Sequence, residues 1–94
     1  MTAIIKRPGR AAFIREISNT LTALQDLVGG YIETLTLGGG IVMIVNEEGK
    51  ILGLPLNFRL GSDSIRGTAV FVSVDGDDFC GLNKAQQSAI LRRL

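Results

Sequence analysis

Histidine is absent from this chain of 94 residues, and so is tryptophan. Without histidine there is no Ser-His-Asp or Cys-His constellation, and the side chain best suited to proton transfer near neutral pH is missing. Cysteine occurs once, as Cys80. An internal disulfide is therefore impossible, which fits a reducing compartment. One thiol and no imidazole also leave no ligand set for zinc. Charge of one sign is missing too: 10 basic and 9 acidic residues give a net charge of +1. DNA- and RNA-binding domains carry a basic stripe, so nucleic acid is not an expected partner. No apolar run approaches the length of a membrane span. The opening MTAIIKRPGR has only an Ile pair before charge and proline, unlike a signal peptide. The expected location is the cytoplasm, that of the host cell if the protein is phage-encoded.

What is present suits one small folded domain. Apolar residues make up 46% of the chain and charged residues 20%, a balance that excludes disorder. A core of this size is thin, so stability is expected to be shared with a second copy of the chain.

Ala3-Ile4-Ile5-Lys6 reads as a strand, Arg7-Pro8-Gly9-Arg10 as a turn, and Ala11 to Ile17 as a hairpin partner. Ser18-Asn19-Thr20 offers N-caps for a helix over Leu21–Val28, which Gly29 and Gly30 end. Tyr31 to Leu37 alternates as a strand should, with Tyr31, Glu33, Leu35 and Leu37 on one side. Gly38-Gly39-Gly40 makes a turn into Ile41-Val42-Met43-Ile44-Val45. That β-branched run suits a central strand covered on both faces. Glu47-Glu48-Gly49-Lys50 reads as a hairpin tip, with Ile51 to Leu54 as the returning strand. After Pro55 the pattern breaks, and Leu56 to Ser64 reads as a structured loop. Arg66 to Val74 is the last strand, and Asp75 to Gly81 reads as a loop. A final helix opens with Asn83 as N-cap and Gln86 three residues on, turning Ala85, Ala89, Ile90 and Leu94 to the core. The fold class is α+β. A small, mostly antiparallel sheet of about five strands carries two helices packed on one face, in the order β-β-α-β-β-loop-β-α.

Three stretches taken together, Leu24-Gln25-Asp26-Leu27-Val28-Gly29-Gly30-Tyr31-Ile32-Glu33, Asn46-Glu47-Glu48-Gly49-Lys50 and Leu54-Pro55-Leu56-Asn57, carry a family likeness. With the later Ile65-Arg66-Gly67-Thr68-Ala69-Val70, the chain resembles a family of small uncharacterised proteins known as a domain of unknown function. These occur in phages, plasmids and conjugative elements of Gram-positive bacteria. The resemblance spans nearly the whole chain and implies a genomic context rather than a chemistry. Small phage proteins of this type often counter host immunity, some by sequestering cyclic-nucleotide or ADP-ribose-type signals.

The candidate ligand set is Tyr31, Glu33, Asn46, Glu47, Asn57 and Arg59. Tyrosine stacks on a base, asparagine offers donor and acceptor to a base edge or ribose, and arginine forks onto a phosphate. The competing reading makes Asn46 and Asn57 turn residues and Glu47 a solvated tip. Gly38-Gly39-Gly40 lacks the spacing of a phosphate loop, and Asp75-Gly76-Asp77-Asp78 lacks that of a calcium loop. Arg7, Arg10 and Arg15 suit protection of an edge strand. The expected function is non-enzymatic: binding and sequestering a small anionic ligand such as a cyclic nucleotide or ADP-ribose derivative, as a homo-oligomer, with no cofactor. The alternatives are a protein-binding inhibitor of a host defence factor and a structural or regulatory accessory domain.

Overall fold

The computed structural model describes residues 1–94. Strands β1 (Thr2–Lys6) and β2 (Phe13–Glu16) form the first hairpin. Its turn is closed by Arg10 N–H donating to Arg7 O at 3.1 Å. Helix α1 (Leu21–Val28) starts where the Thr20 hydroxyl accepts from Ala23 N–H at 3.2 Å. It ends at Gly29, whose φ of 79° is the left-handed geometry that stops a helix with least strain. Strands β3 (Ile32–Gly38) and β4 (Ile41–Asn46) follow. Then come β5 (Leu56–Leu60), β6 (Asp63–Arg66), β7 (Ala69–Asp75), β8 (Asp78–Cys80) and α2 (Lys84–Leu91). The capping box of α2 is formed as expected, with Asn83 and Gln86 bonding each other's backbone N–H at 2.8 and 2.9 Å.

The main sheet is antiparallel, in the order β2-β1-β7-β4-β3, and β8 extends it by pairing with the far part of β7. Strand β7 is the hub. Ile4 and Met43 both sit opposite Phe71, and Ile5 and Ile44 both sit opposite Val70. Alternate residues of β1, β4 and β7 feed two apolar layers. Ala3, Ile5, Val42, Ile44, Val70 and Val72 face Leu24 and Val28 of α1. Ile4, Met43, Val45, Ala69 and Phe71 face Ile65 of β6, together with Leu82 and Ile90 from the start and body of the α2 segment.

The two helices therefore lie on opposite faces of the sheet, not on one. The reason is in the strands: their apolar residues fall at both parities, so both faces need cover. Four further expectations are corrected. Ile51 to Leu54 is not a returning strand. It belongs to a run of tight turns in which Leu52 N–H donates to Glu48 O at 2.8 Å and Leu54 N–H to Gly49 O at 2.9 Å. Both edges of β4 are already taken, by β3 and β7, so a return strand would find no ladder. Leu56 to Ser64 is not a loop: β5 and β6 make a hairpin sheet of their own across Gly61. Pro55 stands just before β5, where no ladder N–H is needed. Part of the 75–81 segment is also ordered, as β8. Ala85 on α2 and Leu94 beyond its end are exposed, and the buried positions of the helix are Gln87 and Ile90. Gln87 is accommodated because its amide donates to Leu82 O at 3.0 Å.

Candidate functional site

The six candidate residues do not converge. Asn46 closes β4 and is only 5% exposed. Its Nδ2 donates to Val28 O at 3.2 Å, and its Oδ1 accepts from Glu48 N–H at 2.8 Å. The amide thus satisfies a helix-end carbonyl and starts the turn that follows. It also packs on Gly30, where an added Cβ would lie 2.9 Å from Nδ2. Tyr31 is 67% exposed and lines an open hollow of about 470 Å³ with Gln25, Asp26, Glu48 and Leu52. Glu33 lies on the other side of the sheet, in a polar hollow of about 320 Å³ that Glu47, Lys50, Asp63 and Arg66 also line. Tyr31 and Glu33 therefore do not share a face. Tyr31 precedes β3, on the bend after α1, and the alternation begins only at Ile32.

Asn57 is occupied internally. Its Nδ2 donates to Lys6 O at 2.7 Å and Gly67 O at 2.8 Å, while its Oδ1 accepts from Lys6 Nζ at 3.0 Å. It fastens the β5–β6 hairpin to the end of β1. Asn46 thus holds a turn, as the competing reading has it, whereas Asn57 sits in a strand and holds a long-range tie rather than a turn.

Arg59 is the exception. It lines a cleft of about 530 Å³ between the hairpin, the α2 side of the main sheet and the C-terminal segment. Leu37, Ile41, Phe58, Leu60 and Phe71 form much of its wall, and the Phe58 and Phe71 rings stack at 6.4 Å. Its only charged lining side chains are those of Arg59 and Arg93. Neither guanidinium has an ion pair or a side-chain hydrogen bond within the chain. Of these lining residues, Arg59 is among the candidates named from the sequence, and Arg93 and the apolar wall are not. The available signal was the alternation Leu56-Asn57-Phe58-Arg59-Leu60, a short strand with one apolar side.

Two carboxylates have displaced acidities, both at the surface and away from this cleft. The hydrogen bond from the Thr2 hydroxyl holds Glu16 below its ordinary value, with help from the terminal ammonium. The bond from Lys50 Nζ, then that from Ser64 N–H, holds Asp63 below its own. No group of three or more Cys, Asp or Glu side chains converges to hold a metal. Cys80 is a free, half-buried thiol.

A family model matches residues 1–94, the whole length described above. The chain belongs to DUF3846, a domain of unknown function. No curated protein and no solved structure matches it. For this DUF3846 chain, no helix is long and apolar enough to cross a membrane.

Proposed function

We propose that this DUF3846 chain is a non-enzymatic protein of a phage or other mobile element that binds and sequesters a small anionic ligand. The ligand class is a nucleotide-derived immune signal. The observation that carries the reading is the cleft beside β5, whose apolar wall is bordered by two unpaired arginines and no acidic side chain. An apolar wall shelters a base or ribose face, and guanidinium groups fork onto phosphate oxygens. Sequestration asks only for such binding groups. The mobile-element setting rests on the resemblance of the Gly29–Glu33, Asn46–Lys50 and Leu54–Asn57 stretches. Of the six residues first considered, Arg59 remains a proposed ligand contact, and Arg93 joins it.

The test is a thermal-shift and equilibrium-binding series with cyclic dinucleotides, cyclic trinucleotides and cyclic ADP-ribose isomers. The expected result is a saturable rise in melting temperature, with the ligand recovered intact after heating. Arg59→Ala and Arg93→Ala should each weaken binding about ten- to a hundredfold, the loss of one charge-assisted hydrogen bond of about 1.5–3 kcal/mol. A well-folded sample that responds to none of these compounds overturns the reading.

A second reading has its own observation. Ile51 is 84% exposed and Leu52 57%, and Leu52 shares the hollow beside α1 with Tyr31, Asp26 and Glu48. Adjacent apolar side chains on a firmly bonded turn suit an inhibitor that docks a host protein with a basic rim. Ile51→Asp should then abolish capture of that factor while leaving nucleotide binding untouched.

A further inference from the structure

We infer that the open edge of β3 pairs with β3 of a second copy, antiparallel, about a two-fold axis at Thr34. This stands apart from the ligand reading and does not depend on it. Strand β3 ends the main sheet and is bonded on one side only, to β4. Val74 N–H donates to Gly40 O at 3.1 Å, so alternation along β4 turns Val42 and Ile44 toward β7 and Met43 and Val45 toward their β3 partners Leu35 and Glu33. Glu47 N–H donating to Tyr31 O at 2.9 Å agrees. In an antiparallel ladder this direction alternates along the strand. Glu33 and Leu35 therefore also point inward, and the N–H and C=O groups of Ile32, Thr34 and Thr36 point out.

An open row of backbone donors and acceptors is a template for another strand unless it is blunted. At the opposite edge, β2 has four residues, two of them charged, Arg15 and Glu16. By contrast, β3 has seven residues, no proline and no lysine, and Glu33 is its one charge. The register shift that would spoil pairing comes only between Thr36 and Gly38.

The sequence of the edge favours itself as partner. Outward-pointing residues must meet outward-pointing residues, which restricts the register. An axis at Glu33 would set two like charges opposite each other, which is unfavourable. An axis at Thr34 sets Ile32 against the partner's Thr36, Glu33 against the partner's Leu35, and Thr34 against the partner's Thr34. It uses every residue before the register shift. Threonine opposite threonine is a favourable cross-strand pair. On the α2 side, Leu35 is half-buried, so the partner strand would extend the cover over it. The gain matters to a chain with 21 of 94 residues buried.

The test is sedimentation and light scattering over a rising concentration series. The expected species has twice the 10.0 kDa chain mass. Thr34 is exposed, so Thr34→Lys and Thr34→Glu should each keep the fold and each run as a monomer. Mixed one to one, the two variants should restore the pair at low salt. Amide hydrogen exchange of the unmodified protein gives a second readout: Ile32, Thr34 and Thr36 should become protected as concentration rises. A monomer at every concentration overturns the proposal. So does an oligomer that survives both variants, or a mixture that fails to reassociate.

Discussion

At Asn46 and Asn57 the cost of mutation separates structure from binding. Replacing Asn46 by alanine leaves Val28 O and Glu48 N–H without their partner in a nearly sealed site. The expected loss is about 1–3 kcal/mol, the penalty for an unsatisfied buried group. Urea unfolding measures it, as a lower midpoint with an unchanged slope. Asn57→Ala removes all three bonds that tie the hairpin to Lys6 and Gly67. It should cost a similar amount, again read from urea unfolding. If Asn57 served a ligand instead, the variant would keep its stability. Arg59→Ala should behave in that opposite way, since its guanidinium holds nothing within the chain.

Among the elements, α2 offers the sharpest comparison. Asn83→Ala removes half of a capping box and should cost about 1 kcal/mol. Gln86→Ala should cost more than Asn83→Ala. The Gln86 side chain caps the helix and also donates to Gly39 O at 3.0 Å and Ser73 Oγ at 2.9 Å, tying α2 to the β3–β4 turn. Paired thermal melts of the two variants decide this. Caps such as Asn83, Thr20 and Gly29 were legible in the sequence because their physics is local. So was β4, whose unbroken β-branched run implies cover on both sides. The side of the sheet on which each helix packs was not legible. It depends on which strands end up as neighbours, and β1 and β7 meet from opposite parts of the chain. The β5–β6 hairpin was hidden for another reason: Pro55 and Gly61 are turn residues in any context, and they outweighed the short alternation between them. In the candidate site, the strand that carries Arg59 has a local signal, but its meeting with Arg93 in one cleft has none. Only tertiary packing brings the chain end against β5.

For the whole molecule, acid sensitivity follows from the two depressed carboxylates. Each has a folded-state acidity below its ordinary value, so its stabilising contribution is present above that value and is lost as pH falls through the folded one. With no histidine, no side-chain type in the chain has an ordinary value between about pH 5 and 8. The melting temperature should therefore be level between about pH 5 and 7 and decline below about pH 4. Asp63→Asn should flatten part of the decline, and the effect should be modest because both groups lie at the solvent-exposed surface. Calorimetry at stepped pH checks it. The central position of β7 has a consequence for synthesis. On the ribosome, β1–β2 and β3–β4 can close as separate hairpins, but the strand that joins them emerges late. Until Ala69–Asp75 is translated, the apolar edges at Ile4-Ile5 and Val42–Ile44 have no partner, and the nascent chain passes through its most aggregation-prone state just before it can fold.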